Sequence, residues 1–482
     1  MDVHWGALDF VRVGFDKAGV MRLIHFRVGM TAAFLWLGVN GVRAEDAPPP
    51  METAKLVSTG NLFDDKIVCE FAIYLLPDSK DKPEAVLAAL LAKQGDYWKM
   101  ADKKSSETSV PTVVAHLITD VQKSYAPPDL HALQYFGRGL TKEQADQLQT
   151  CQQAYIMDFV FPSKDVWKSL RSATELAGDM GAGTGGLVWD EGTREVFTPD
   201  AWTKKRLVDW PVDTVPDIAR EVTMHAYKDG DFVRAITLGM SKCGLPDIVV
   251  NDFVWSQSRS VGNLINLLAQ ALAEGATLTS PGEFDLKIGN IKNEKVREET
   301  QKSLLDHATS TAKLGLRMAK LEDGDAPNRL IEITFDGNEG ADNHARQDKL
   351  LSSLFGWHDE IKSIKNNEEL LATSQRAKDK LPALQAAFQK GLAPGEFISV
   401  KAPFATAKNG TEWMWVEVSS WKGDAIRGML KNEPFYIPTM HGGQMVDVSQ
   451  KDVFDYIHTF PDGHQEGNET SAIIEKMDGV SQ

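Results

Sequence analysis

Three histidines, His441, His458 and His464, crowd the C-terminal region, with Asp462 and Glu466 beside them. Imidazole nitrogens and carboxylate oxygens are the donors a borderline metal ion takes. Their spacing follows no metal signature, so they stand only as weak metal candidates, and His441 opens a His-Gly-Gly turn that reads as loop. The stretch GAGTGG, Gly181 to Gly186, satisfies the dinucleotide fingerprint by letter. That fingerprint needs a strand before it and a helix after it, so that phosphates meet a helix N-terminus. Here a helix precedes (VWKSLRSATEL) and a strand follows (LVWD), so the glycines read as a helix end and a loop. Asp190 and Glu191 could pair for acid–base work, yet they sit at a hairpin turn where such residues are ordinary. His344 and His358 lie fourteen apart and share a helix face only loosely. No H-E-x-x-H, G-x-S-x-G, P-loop or EF-hand pattern occurs, and no cofactor motif survives. A Ser or Cys nucleophile needs a base beside it, and spacing alone establishes no such pair. No catalytic residue is assigned, and whether the protein is an enzyme is left open.

Cys69, Cys151 and Cys243 lie far apart without C-x-x-C spacing. At most one disulfide can form from three thiols. Apolar surroundings favour free buried cysteines, with a Cys69–Cys151 bridge as the alternative. The chain has 482 residues, with 52 Lys+Arg against 68 Asp+Glu. This acidic balance argues against a nucleic-acid partner, because no basic excess is present to neutralise phosphates. At the N-terminus, Arg22 and Arg27 precede an apolar run from Val28 to Val39, and Val42-Arg43-Ala44 fits the small-x-small rule of signal peptidase. The run is short of the ~20 apolar residues a membrane span needs. The sequence therefore predicts an upstream extension at 1–20, a signal peptide at 21–44 cleaved after Ala44, export to the periplasm or beyond, and no stable membrane span afterwards.

A flexible leader is expected at 45–60, then an α+β region at 61–280 and a helical connector with one strand–helix unit at 281–392. KIVCEFAIYLLP reads as a strand and KPEAVLAALLAKQG as a helix closed by Gly95. Thr141 and Gln144 form a capping-box pattern. IYLLPDSKDKPEAVLAALL and FVFPSKDVWKSLRSATEL share an order of strand, Pro, Ser-Lys-Asp and helix, and RLIEITFDG with ARQDKLLSSLFGW makes a third unit. In the second copy Val166, Leu170, Ala173 and Ala177 fall on one stripe. Such repetition predicts α/β-sandwich pieces with helices on one face of a sheet. Hairpins are expected at Glu191-Gly192 and Asp229-Gly230. VGNLINLLAQALAEG reads as an apolar helix ending at Gly275. A long polar helix is expected from Glu294 to Lys320, and another from 366 to 390, kinked or split at Pro382.

Beyond GLAPGEF the character turns to β, and a small antiparallel module is expected at 394–480. In EWMWVEVSSW the alternation sets Trp413 and Trp415 apart from Glu412 and Met414, and so small a sheet needs large apolar side chains. The tryptophans are therefore expected to hold it together. EFISVKAPF, Glu412 to Val416, the Gly423-Asp424 turn, Gly428-x-Leu430, Asn432-x-Pro434, Gly443-x-x-Val446, Asp455-Tyr456 and Gly467-Asn468-x-Thr470 resemble the bacterial YegJ-like family, domain of unknown function 2314. A Trp more often follows the Asp there, where this chain has Tyr456. DFVRAITLGMSKCGLPDIVVNDF and GGLVWDEGTREVFTPDAW resemble a second bacterial family, domain of unknown function 4261. Neither resemblance implies an activity or a site residue. The expectation is an exported, multi-domain α+β chain, with strand–helix and hairpin sandwich units ahead of the β module. Its function reads as non-catalytic binding of a protein or small ligand in the cell envelope. The alternative is a hydrolase or other enzyme whose site is assembled from distant residues.

Overall fold

The computed structural model describes residues 55–79, 82–95, 97–104, 109–229, 232–356, 368–406, 410–471 and 473. The expected signal peptide, most of the leader, His358 and Gly230 lie outside them. The chain is a multi-domain α+β protein, and each of its three sheets is drawn from one contiguous stretch of sequence.

The first stretch holds β1 (Lys66–Leu75), β2 (Lys99–Met100), β3 (Thr112–Ile118), β4 (Gly137–Arg138), β5 (Gln153–Pro162), β6 (Leu187–Asp190) and β7 (Glu195–Phe197) in the order β2-β3-β5-β1-β6-β7-β4. With them run α1 (Pro83–Lys93), α2 (Val121–Ser124), α3 (Leu130–Phe136), α4 (Lys142–Leu148), α5 (Val166–Thr184) and α6 (Pro199–Arg206). The two echoed strands, β1 and β5, are antiparallel neighbours. Val166, Leu170, Ala173 and Ala177 of α5 enter the main core with Ile67, Phe71 and Phe159. Helices cover both faces, not one. The opposite face carries Tyr74, Ala154 and Leu187, and it packs on Val121, Leu133, Ala145 and Leu148 from α2, α3 and α4. Period-2 strands that are apolar on both faces need a cover on each side. The capping box of Thr141 and Gln144 opens α4, and Gly185 ends α5 in a left-handed conformation, so GAGTGG is a helix end.

The second stretch forms β8 (Thr223–Asp229), β9 (Phe232–Leu238), β10 (Asp247–Phe253), β11 (Glu283–Lys287), β12 (Thr311–Met318) and β13 (Leu330–Thr334), ordered β11-β12-β13-β10-β9-β8. Its helices are α7 (Ile218–Glu221), α8 (Ser258–Ala273), α9 (Glu294–Ser303) and α10 (Asn343–Phe355). The long helix expected from Glu294 to Lys320 is not formed. α9 stops at Ser303, and Thr311–Met318 is a strand whose Leu314 and Leu316 alternate into the core between β11 and β13. Tertiary pairing overrides local helical character there. The end of the leader is also tied down: Val57 is buried, and the Gly282 N–H donates to its carbonyl at 2.8 Å. α8 is buried nearly all round, and one apolar core runs from the first sheet through α5 and α8 into the second.

The third stretch contributes α11 (Glu368–Lys390), which runs through Pro382 as one helix. An all-antiparallel sheet follows: β14 (Phe397–Ala405), β15 (Thr411–Lys422), β16 (Ala425–Leu430), β17 (Met445–Ser449), β18 (Asp455–Thr459) and β19 (Gln465–Gly467). Ala377, Leu381 and Leu384 of α11 pack on this sheet. The expected role of the tryptophans is reversed on β15. Met414, Val416 and Val418 face the core, while Trp413 is 39% exposed and stacks on Phe454 with centroids 4.6 Å apart. A register shift between Val418 and Ser420 then turns Trp421 inward. A β-bulge of this kind changes the face that later residues present, which strict alternation cannot anticipate. Among the described residues no helix is long and apolar enough to cross a membrane.

Gly428 shows why its position tolerates no side chain. A Cβ there would lie 2.1 Å from the Glu417 carbonyl oxygen in the neighbouring strand. Gly428→Ala should destabilise the C-terminal module by about 2–3 kcal/mol through backbone displacement. Gly423→Ala should cost about 1 kcal/mol or less, because no atom lies within 4 Å of its would-be Cβ and the cost is that of its positive φ. Thermal unfolding followed by tryptophan fluorescence would check this ordering, and equal melting of the two variants would contradict it.

Candidate functional site

Beyond Lys66 at its start, β1 is apolar on both faces except for one carboxylate. Cys69 and Phe71 point into the main core, and Glu70 points to the other side, the side of Tyr74. The antiparallel register sets Asp158 of β5 directly across from Glu70. Like charges opposed across strands repel, so this pair needs a counterweight. Lys104, from the segment between β2 and β3, supplies part of it with its ammonium 2.8 Å from Asp158. The Tyr125 hydroxyl donates to Glu70 Oε1 at 2.6 Å. The β6–β7 turn brings Glu191 alongside, and its backbone N–H meets the Glu70 carbonyl at 3.4 Å. Ser241 and Lys242, from the 3-10 turn Met240–Cys243 of the second stretch, close the far wall. Together these groups surround a recess of about 180 Å³.

Joined to the recess through Asp190 and Lys242, which also line it, is an ionic network that is buried at Asp190, Glu195, Arg206, Glu221 and Lys242 and partly exposed at Arg138 and Lys205. Asp190 Oδ2 accepts from Lys242 Nζ at 2.6 Å and from Arg206 Nη2 at 2.9 Å. The same Arg206 nitrogen donates to Glu195 Oε2 at 2.9 Å and to the Thr193 hydroxyl at 3.2 Å. Arg138 and Lys205 each meet Glu195 Oε1 at 2.8 Å. Glu221 stands 3.9 Å from Arg206 and 3.8 Å from Lys242, and its oxygens make no direct hydrogen bond. Asp190 does end β6 at the β6–β7 hairpin, where the sequence places it, and it is also an interior ion between two sheets.

Burial pushes the Glu70 carboxyl from its usual 4.5 up to about 7; Tyr125 opposes this, and Asp158 and Glu191 reinforce it. Burial also raises Glu191, against Arg194. For Glu195 burial acts in the same direction, but Lys205, Arg138 and Arg206 together hold it well below the usual range. The Cys69 thiol, beside the recess, is pushed well up by burial, which keeps it protonated and poorly nucleophilic. All three cysteines are free and buried. Carboxyls whose protonation is split between neutral and charged near pH 7 can accept or release a proton during binding or chemistry.

The C-terminal histidines are placed elsewhere. His458 and His464 both lie against Phe460, with ring centroids 4.1 Å apart in each pair. Their nitrogens are engaged by Glu396 at 2.7 Å and Asp462 at 2.6 Å. His441 sits in a different loop, held by Glu433 at 2.9 Å. Each imidazole has its own carboxylate. Among the described residues no group of three or more His, Cys, Asp or Glu is placed to hold a metal ion. His344 packs on Phe232, with centroids 4.3 Å apart.

Glu70 and Asp158 went unnoticed in the sequence. Each is the lone acid inside an apolar strand, KIVCEFAIYL and QAYIMDFVFP. That is a legible signal, because a carboxylate among buried strand residues calls for a partner. Tyr125, Lys104 and Lys242 carry no such mark, since only the fold brings them near.

Two outcomes follow for this site. Glu70 binds its proton more tightly folded than unfolded, so its contribution to stability falls as pH rises from about 4.5 through 7. Glu70→Gln should match the wild type near pH 5 and exceed it at pH 8 by roughly 2 kcal/mol, allowing for partial exposure. Urea unfolding at both pH values measures this, and a pH-independent difference would contradict it. Arg206→Met should cost about 3–5 kcal/mol by stranding Asp190 and Glu195, and a loss under 1 kcal/mol in the same assay would contradict it.

Comparison with known proteins places part of the chain. Residues 368–479 match the family described as an uncharacterized protein conserved in bacteria, domain of unknown function 2314. The match takes in α11 together with the six-stranded sheet that α11 covers. It does not reach the middle region with its resemblance to domain of unknown function 4261. No curated protein and no solved structure matches the chain. The C-terminal module, from α11 to the end of the sheet, is thus similar to a conserved bacterial domain.

Proposed function

We propose that this is an exported protein of the bacterial cell envelope that binds a small, polar, positively charged ligand in the Glu70–Asp158–Glu191 recess. The observation that carries the reading is the convergence of four carboxylates, Glu70, Asp158, Asp190 and Glu191, on one cavity that holds two lysines, with burial pushing Glu70 up to about 7. At about 180 Å³ the recess is smaller than the roughly 300–1,000 Å³ of ordinary ligand pockets. Its walls are polar, so affinity must come from charge and hydrogen bonds. Lys242 is already committed to Asp190, and Lys104 to Asp158. Glu70 and Glu191 remain as the carboxylates that a ligand cation would relieve. Export is supported by the arginine-flanked apolar run and the Val42-Arg43-Ala44 site. The middle region is proposed to belong with domain of unknown function 4261, on the two segments that resemble it.

Glu70 also favours a second reading. A carboxyl poised near neutral pH and oriented by a tyrosine hydroxyl is suited to general acid catalysis, as in a hydrolase. The two readings differ in turnover.

Isothermal titration of the chain from Glu45 with ammonium, ethylammonium and ethanolamine, against acetate and phosphate, tests the binding reading. The expected result is saturable binding of an amine with proton release, tightening as pH rises from 6 to 8 as Glu70 ionises. Glu70→Gln should weaken this at pH 8 by about tenfold, close to one lost charge-assisted hydrogen bond. Saturation by the anions only, or by nothing, would remove the reading. Release of product from an ester or glycoside of the bound amine would move it to the hydrolase.

A further inference from the structure

Among the described residues, hydrogen bonds and a ring contact tie the C-terminal module to the remainder of the chain at its linker. Gln134 exchanges hydrogen bonds with the linker, donating to the Glu396 carbonyl at 2.6 Å and accepting from the Gly395 N–H at 3.0 Å. Lys142 donates to the Lys390 carbonyl at 2.7 Å, and Tyr135 packs on Phe397. These contacts belong to the linker and its immediate flanks. A different contact is made deep in the module's own loop, by one ring from the second stretch.

Trp255 stands between β10 and α8, is 8% exposed, and reaches into the segment that links β16 to β17. Its indole N–H donates to the Lys431 carbonyl at 2.7 Å. The Lys431 ammonium lies 6.0 Å from the ring centroid and is fixed by Glu417 at 3.0 Å. Gly442 forms the floor against the ring. A Cβ on it would fall 2.4 Å from Trp255 Cγ and 2.5 Å from Cδ1. The loop is braced for this shape without help from Trp255. Glu433 holds the Gly442 N–H at 2.8 Å and His441 Nδ1 at 2.9 Å, the Gly443 N–H meets the Leu430 carbonyl at 2.7 Å, and Asn432 caps the Trp415 N–H at 2.6 Å.

Each of the three contacts answers a different property of an indole. A side-chain-free floor admits a flat ring, a carbonyl takes a group that can only donate, and a cation meets the negative π face. We propose that Lys431–Gly442 is an indole-recognition slot of the module, and that Trp255 fills it as the anchor holding the module to the body of the chain. The slot lies inside the matched family segment, whereas the ring that fills it lies outside, so the module carries a receptor for which the body supplies the ligand. Buried tryptophans of this kind dominate the energy of many interfaces.

Hydrogen exchange by mass spectrometry on the full chain tests the slot, with peptides from 431–444 and 391–396 as readout and β1 and β10 as controls. Trp255→Ala empties the slot. Gly442→Ala fills it from the other side, and because Gly442 is not left-handed the insult falls on the ring and not on the backbone. Both variants should exchange about tenfold faster at 431–444 and 391–396, with β1 and β10 unchanged. Their combination should add little, as two ways of breaking one contact do. Millimolar indole should restore slow exchange to Trp255→Ala and leave Gly442→Ala unaffected. Unchanged exchange in both variants, equal loosening of β1 and β10, or failure of indole to restore protection would each overturn the proposal.

Discussion

The joint between the first two sheets depends on Asp190 sharing its carboxylate between Arg206 of its own stretch and Lys242 of the next. Charges removed from water are stable only when closely paired, and each lost partner strands the other. Arg206 is shared in turn with Glu195, and Glu195 with Arg138 and Lys205 at the rim. The network thus grades from fully interior ions to partly solvated ones. It fixes the approach of the 3-10 turn Met240–Cys243 to β1, which apolar contact alone would leave free to slide. Hydrophobic burial is non-directional, whereas a bonded ion pair has one geometry.

The recess follows from that constraint. With Lys242 held on Asp190, the second stretch forms a wall opposite Glu70 and Asp158 and does not collapse onto them. The cavity persists because its lining cannot be filled by apolar side chains without stranding carboxylates. Glu70 rises to about 7 for the same reason: burial removes water while the nearby lysine is spent on Asp158. Stability and a responsive carboxyl are two consequences of one arrangement.

The C-terminal module is built on different terms. Its core lies between α11 and one face of a six-stranded antiparallel sheet, and ion pairs such as Arg376–Glu469, Arg427–Asp447 and Lys451–Asp424 join residues within the module. It meets the body through linker contacts at Gln134 and Lys142 and through the Trp255 ring. A seam of linker hydrogen bonds with the Trp255 ring and the Tyr135–Phe397 pair suits a domain that is retained, not fused, in contrast to the continuous core shared by the first two sheets.

Local order was legible in the sequence wherever a short-range rule governs it. The capping box at Thr141, the glycine end of α5, the apolar helix before Gly275 and the resemblance at 412–470 all rest on residues within a few positions of one another. Glu294 to Lys320 misled because Thr311–Met318 becomes a strand only when β11 and β13 flank it. The face of Trp413 misled because alternation sorts residues into two faces without saying which one α11 will cover, and Trp421 turns inward only because a bulge after Val418 resets that alternation. The recess was out of reach for a similar reason. Glu70, Tyr125, Asp158, Asp190 and Lys242 are scattered along the chain, and their charges acquire meaning only when water is excluded between them. The sequence alone determined the class of the chain and those elements that short-range rules govern. Tertiary structure decided which lone carboxylates would be buried together, because desolvation and pairing are properties of neighbours in space.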